Sequence, residues 1–565
     1  MLFRSVRDEK DAIQQAKDII AEKVSDNAQL RWKFKDILLS AASLVTKIKK
    51  DAVDENKVYE MYYDRTEKVS TLADHRIMAI DRAEKEKVIS VSFAYDMDYL
   101  KKEAFDAYVS HKCICETVIK EAVDDGLERL LLPSIEREIR SELSERAQKA
   151  SIELFSLNLE KLLLQAPLKG RVVLGFDPGF YNGCKLAVID ATGKMLTVDK
   201  IYTFSRKGGD IEGDKAKLEK LIRQYGVQII AIGNGTASRE SEKLVADLIR
   251  EKNLQVSYAI VSEAGASVWS AQEEAREEFP DLAVEERSAV SIGRRILDPL
   301  GELIKIDPKS IGVGQYQHDL SEKELNERLD EVVMKCVNRV GADANTASVE
   351  LLEHISGLNK SSAKEIVAYR NQNGRFTNRE QLKKVRKIGA KTFEQCAGFI
   401  RITDGEEPLD ATSIHPESYA LAKEVMHRCG IEKLGQADIV FDKEKLAGLD
   451  ADSYTLNDIE EAIRQPLRDY RDQFDAALLK SDVLDISNLH VGDQLQGTVR
   501  NVVDFGAFVD IGLHEDGLVH ITKMSRKRIQ HPSEVISVGD IVTVYVYELD
   551  LQRNRVSLSP LPLEE

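Results

Sequence analysis

The residues best suited to chemistry lie near the C-terminus, in the stretch Gln496–Thr522, QGTVRNVVDFGAFVDIGLHEDGLVHIT. Ala507, Val509 and Ile511 alternate there with Phe508 and Asp510, and Val519 and Ile521 alternate with Leu518 and His520. Alternation with a period of two marks strands with one apolar face. Gly506 and Gly517 supply turns that a side chain would obstruct. A small barrel is predicted, with Phe505, Phe508 and His520 gathered on one outer patch. Rings on an exposed strand face stack unpaired bases at about 1–3 kcal/mol each. Lys523, Arg526, Lys527 and Arg528 follow the His520 strand, and Arg553 and Arg555 come near the end. Cations so placed would hold a phosphate backbone beside the rings.

Two further groups stand out. Asp177 leaves the apolar run RVVLGFD just before Pro178 and Gly179, and Glu263 ends the run VSYAIVSE. Acids at strand ends are where a metal-dependent nuclease holds its first carboxylates. Two-metal hydrolysis needs several carboxylates converging so that the ions lie about 4 Å apart. The intervening strand end, Ile232–Gly235, carries the amide of Asn234. The third group is a pair of short hairpins, SGLNK and RKIGA, each joining two helical segments. Such turns present backbone N–H groups at the start of the next helix, which bind phosphate without reading sequence. Between Asn345 and Ile402 stand eleven Lys or Arg against five Glu. The candidates for phosphate contact are Gly357, Asn359, Lys360, Lys387, Gly389 and Lys391.

The elements that must position these residues follow from length and texture. The chain has 565 residues, too many for one core, so about three to five domains are expected. Its formal net charge is -17, which excludes a uniformly basic nucleic-acid binder. Local basic patches still act, because screening limits distant charges to a reach of about 8 Å. Six Cys without a CxxC pair point to a reducing compartment and no disulfide framework. Cys113 and Cys115 beside His111 lack a second ligand pair for zinc and read as buried thiols of a helix. The charged start and the lack of any apolar run near ~20 residues argue against a leader and a membrane span. A cytoplasmic protein is expected, with no cofactor and no metal.

Residues 1–166 read as a helical scaffold, with Pro133 at the start of a helix of about 30 residues. After Pro167–Gly170, strands alternate with helices, as in a mostly parallel sheet covered by helices. From Asp319 the texture is helical again, and an acidic linker at 404–408 precedes a further small helical unit.

The stretch from Leu489 to Pro560 resembles the S1 RNA-binding domain, an OB-fold barrel. Residues 356–360 and 386–390 resemble tandem helix-hairpin-helix turns, in which the first keeps Gly357 but has Asn359 for its second glycine, and the second keeps Gly389 but has Lys387 for its first. Asn359 is expected to take left-handed backbone in a glycine's stead. The phrases FDPGFYNGCKLAVID, IGNGTASRE, VSEAGASVWS, ERSAVSIGRRILDPL and DPKSIGVGQYQHD resemble the YqgF/RNase H-like domain, and the whole order resembles the bacterial Tex family of transcription accessory proteins. In active relatives of that domain an Asp precedes a Ser on the last helix. Here Arg287 precedes Ser288, and an arginine there opposes a metal ion. Neighbouring Glu286 faces about 100° away on a helix.

The resemblance implies a mostly α multi-domain chain with a central α/β RNase H-like domain and a C-terminal all-β OB-fold barrel. Its expected segments are a helical scaffold (1–166), the RNase H-like domain (167–319), tandem helix-hairpin-helix motifs (320–403), a second small helical domain with linker (404–484) and the S1 domain (485–565). The family's usual N-terminal helix-turn-helix-like module is expected to be lacking. The expected function is sequence-independent binding of RNA and single strands, without catalysis, in transcription. Asp177 and Glu263 are then vestigial. Expected partners are RNA, single- or double-stranded DNA, and RNA polymerase or the ribosome. The rival is a metal-dependent nuclease built on Asp177 and Glu263.

Overall fold

The computed structural model describes residues 6–109, 114–204, 209–312, 314, 316–436, 439–441, 446, 448–449, 451–467, 469–473, 479, 489–513, 516–529, 531–550 and 555–562. It divides into two compact units, Met1–Glu153 with Tyr316–Glu322, and Leu154–Gln315 with Lys323–Glu565.

The first unit is not purely helical. Helices α1 (Glu9–Ser25), α2 (Ala28–Ala41), α3 (Asp74–Lys85), α4 (Met97–Tyr108) and α5 (Glu116–Asp125) accompany an antiparallel sheet, β1 (Ser43–Ile48), β2 (Thr66–Lys68) and β3 (Ile89–Ala94), in the order β2-β1-β3. Leu44 and Thr46 face inward while Lys47 is exposed, so these strands are short and half-wetted, and their charged residues read as helix. A π-helical turn, Gly126–Leu131, joins α5 to α6 (Leu132–Leu163). Pro133 is the second residue of this 32-residue helix, in its first turn as expected, and the π-helical turn leads into it. The Leu132 N–H already reaches back five residues to the Leu127 carbonyl, and this widened ladder accommodates the amide that proline lacks. A Cβ on Gly126 would lie 2.7 Å from the Ala21 carbonyl, so the turn can approach α1 only as glycine. Cys115 precedes α5 and is exposed, contrary to a buried helical thiol; His111 and Cys113 lie outside the described residues.

In the second unit, β4 (Val173–Asp177), β5 (Cys184–Ile189), β6 (Met195–Ile201), β7 (Ile229–Gly233) and β8 (Ser257–Val261) form a sheet of order β6-β5-β4-β7-β8. It is mixed, not mostly parallel: β4 pairs antiparallel with β5, and β5 with β6, while β4, β7 and β8 run parallel. The connections at Pro178–Gly183 and Asp190–Lys194 are too short for anything but hairpins, whereas α7 (Ile211–Tyr225) and α8 (Ser238–Lys252) provide the crossovers that parallel strands require. Alternate residues feed two cores. Leu174, Phe176, Ile230 and Ile232 pack with Leu218 of α7 and Leu248 of α8. Val173, Ile229 and Ala231 pack on the opposite face with Val290 and Ile292, from α11 (Val284–Leu297), which follows α9 (Ala266–Ala271) and α10 (Glu273–Glu278). A Cβ on Gly175 would fall 2.1 Å from the Ala289 carbonyl, which explains how α11 lies so close on β4. Next come α12 (Pro299–Leu303), α13 (Glu322–Val340), the strand pair β9 (Ala342–Asp343) and β10 (Ile400–Arg401), and between them α14 (Val349–Glu353), α15 (Lys360–Asn373) and α16 (Ala390–Cys396). The small helical region after Asp404 contains α17 (Tyr419–Cys429) and α18 (Ser453–Arg464).

The C-terminal strands β11 (Gln494–Val503), β12 (Gly506–Asp510), β13 (Gly517–His520), β14 (Ile541–Asp550) and β15 (Arg555–Ser559) close into a barrel of order β11-β12-β13-β15-β14. Val499, Ala507, Val509, Val519, Val544, Val546, Val556 and Leu558 fill it. Among the described residues, no helix is long and apolar enough to cross a membrane.

Candidate nucleic-acid interface

The barrel core takes the inward set of each strand, which leaves the alternate set outside. Phe505 and Phe508 are half-buried and meet edge to face, with ring centroids 6.2 Å apart and planes at 89°. The glycine between them is required: a Cβ on Gly506 would lie 2.5 Å from the Val519 carbonyl. Gly506 is paired in register with His520, and His520 is exposed on the strand beside the rings. The Thr522 N–H donates to His520 Nδ1 at 3.3 Å, and the Thr522 hydroxyl lies 2.9 Å from the same nitrogen. Arg526, Lys527, Arg528 and Arg555 are exposed, and Lys523 lies with Nζ 4.1 Å from the centroid of the Tyr547 ring. Arg553 lies outside the described residues. The barrel is also held by its own unit, at β11 directly across from Phe508, because Asn501 pairs with Phe508 and Val502 with Ala507. The buried Asn158 of α6 donates to the Val502 carbonyl at 3.2 Å and to Asn501 Oδ1 at 3.3 Å, and Arg239 donates to the Gly512 carbonyl.

The two hairpins differ from each other. Gly357 has φ 83°, and a Cβ there would meet Gln395 Cβ at 2.6 Å. Asn359 is extended, with φ -148°, and does not adopt left-handed backbone. Its Oδ1 instead accepts the N–H groups of Ser361 and Ser362, each at 3.0 Å. The donors expected to face phosphate in this hairpin are thus already taken by a helix cap. Lys360 is engaged as well, in an exposed ion pair with Glu274 at 3.3 Å. In the second hairpin Lys387 carries the left-handed turn at φ 69°, and Gly389 precedes α16 without a side-chain cap. Lys387 donates to Ser361 Oγ, which brings the two hairpins together, and Lys391 is exposed.

The local excess of cations overstates the surface charge. Arg379 is 1% exposed and donates to the carbonyls of Ile400, Thr412 and Ile414 and to the Tyr419 hydroxyl. Arg370 donates to the carbonyls of Ala344 and Ala347. These two are structural, because buried carbonyls need donors.

At the carboxyl end of the α/β sheet, Asp177 of β4 stands directly across from Lys185 of β5. Burial pushes the Asp177 carboxyl above its ordinary range, with the Lys185 charge opposing that rise. Burial and then the Asp177 charge push Glu263 up in turn. Glu263 Oε2 is buried without a hydrogen-bond partner, and its backbone N–H is held by Asn234 Oδ1 at 3.0 Å. Asn234 therefore fixes the loop that carries Glu263. Arg287 is not the cation that disfavours metal here. It is 6% exposed and donates to the carbonyls of Ser270, Phe279 and Leu282. Lys185, hidden in the run CKLAVI, is the cation whose field both acids feel. Glu286 accepts the Ala283 N–H as a helix cap. Two acids, an amide already in use and a nearby lysine do not fit the paired divalent ions that an RNase H-like fold implies. No cluster of three or more His, Cys, Asp or Glu able to hold a metal occurs among the described residues.

The sequence reading overlooked Lys185, the buried role of Arg379 and the ring of Tyr547. Only the last had a signal, an aromatic within the alternating run VTVYVYELD.

Comparison with known proteins accounts for most of the chain. Residues 3–155 match the profile described as Tex central region-like, and 171–297 the Tex protein YqgF-like domain. Residues 337–401 match the helix-hairpin-helix motif, 407–471 the HHH domain and 488–560 the S1 RNA binding domain. The chain is 49% identical over 560 residues to the uncharacterized protein YdcI of Bacillus subtilis, covering 97% of this chain and 78% of that protein. It is 42% identical over 582 residues to the transcriptional accessory protein Tex of Neisseria gonorrhoeae, covering 99% of this chain and 75% of that one. It is 36% identical over 594 residues to the human S1 RNA-binding domain-containing protein 1, covering 91% of this chain and 59% of that protein. With an S1 barrel, helix-hairpin-helix motifs and a YqgF-like sheet in this order, the chain belongs to the Tex family of transcriptional accessory proteins.

Proposed function

We propose that this protein binds RNA and other single strands without regard to sequence, and assists transcription without catalysing a reaction itself. The observation that carries this reading is the outward pair Phe505 and Phe508, which stands beside exposed His520 on a closed barrel. Bases of any identity stack on such rings, and Lys527, Arg528 and Arg555 supply phosphate contacts. The second hairpin, with Lys387, Gly389 and Lys391, adds weak backbone contacts that gain by effective concentration when one strand reaches both sites. The first hairpin contributes Gly357 as a packing turn, with Asn359 and Lys360 occupied. Double-stranded DNA is a weaker ligand in this reading, and RNA polymerase or the ribosome is the cytoplasmic machine assisted. Phe508→Ala is expected to weaken binding of a fluorescent single-stranded RNA by about 1–3 kcal/mol, read by anisotropy. Unchanged affinity in a folded variant would remove the barrel from the interface. Incubating labelled single strands and junctions with Mg²⁺ or Mn²⁺ tests the lack of catalysis: cleavage that Asp177→Ala abolishes would make the protein a nuclease.

A further inference from the structure

The outer face of the barrel does not stop at His520. Strand β14 carries a bulge: Val546 pairs with Leu558 and Glu548 with Ser557, so Tyr547 is an extra residue facing no partner on β15. A bulge re-aims a side chain and locally increases twist, and Tyr547 is 38% exposed while Val546 beside it is buried. Its ring carries a resident cation. Lys523 Nζ lies 4.1 Å from the ring centroid and donates to the Tyr547 hydroxyl at 2.7 Å. Lys523 is itself fixed, because its carbonyl accepts the Ser559 hydroxyl at 3.2 Å. The ring is therefore held at the surface in advance, with an ammonium close to where a base would lie.

The register places this ring on the same side of the barrel as the two phenylalanines. Phe508 pairs with Leu518, Leu518 with Ser557, and Ser557 with Glu548, next to Tyr547. Three strand spacings separate the ends of that row, roughly 14 Å at about 4.8 Å each. That is several times the rise of about 3.4 Å between stacked bases, so different nucleotides must serve the two ends.

We propose that Tyr547 is a further base-stacking residue, and that the track for a single strand runs from Phe505 and Phe508 past His520 to Tyr547. On binding, Lys523 leaves the ring for the phosphate of the nucleotide whose base replaces it. This rests on the barrel being the strand-binding module. The test uses the full chain and oligouridylates of about four and about ten nucleotides, which bracket the low end of a single barrel's site size, with anisotropy as the readout. Tyr547→Ala is expected to weaken the longer strand by roughly 5- to 100-fold and to leave the shorter one unchanged. Tyr547→Phe, which keeps the ring, should bind both like the parent. Melting temperatures of both variants are expected to match the parent. If Phe508→Ala weakens both lengths while Tyr547→Ala changes neither, the track ends before β14 and the proposal fails alone. Equal losses at both lengths in Tyr547→Ala would also overturn it. If Phe508→Ala is silent, the underlying reading of the barrel fails first.

Discussion

The carboxyl end of the α/β sheet and the outer face of the barrel both gather residues with chemical potential, and they treat them in opposite ways. At the sheet, Asp177 and Glu263 are drawn into a desolvated place where their charged forms are disfavoured, with Lys185 near both. At the barrel, Phe508, His520 and Tyr547 remain reachable from solvent, and Lys523 lies against the Tyr547 ring. A catalytic centre must concentrate negative charge to seat divalent ions, whereas a stacking surface must keep apolar rings uncovered. The barrel has the second kind of arrangement, and the sheet end, with a lysine beside its two acids, lacks the first.

The contrast is broken most severely by Phe508→Ala. RNA affinity should fall by about 1–3 kcal/mol, while the urea midpoint changes little, because the half-buried ring lies outside the barrel core. The reverse pattern is expected at the sheet. Asp177→Asn should leave RNA affinity unchanged and raise stability at pH 7 by about 1 kcal/mol, read by urea unfolding. The sign follows from the raised folded-state value. The cost of ionising Asp177 is absent below the ordinary carboxylate range and grows as pH rises through the folded value, so the gain should vanish below about pH 4. Lys387→Gly sharpens the comparison at the hairpins. Removing a side chain from a left-handed residue should stabilise the protein by about 1 kcal/mol, seen as a higher melting temperature. The smallest effect is expected for Lys527→Ala, which should reduce the slope of log affinity against log salt by about 0.7 and preserve the ranking of RNA sequences.

Much of this arrangement was legible in the residues. The barrel declared itself because its strands are consecutive, alternate cleanly and turn at Gly506 and Gly517. The order of the sheet was harder to read. The run CKLAVI is buried along its whole length, and a strand buried on both faces loses the alternation that reports its neighbours. The strands at Ser43–Ile48 and Ile89–Ala94 pair across forty intervening residues, so no local pattern joins them. Charge was the least legible property. Arg287 and Arg379 look like surface cations in the sequence, yet both serve buried carbonyls, a role decided by chain segments far away. Asn359 was expected to replace a glycine by its backbone tolerance; it replaces one by capping a helix.

The guanidinium of Arg379 sets where this protein can be dissected. Its acceptors at Thr412, Ile414 and Tyr419, and the Asp410 carboxylate that takes its backbone N–H at 2.8 Å, all lie beyond the acidic segment at 404–408. A hairpin fragment trimmed at residue 403 would leave the guanidinium only the Ile400 carbonyl, while one carried through Tyr419 would keep all of its acceptors. The natural scissor point thus falls some distance past the place where the composition changes.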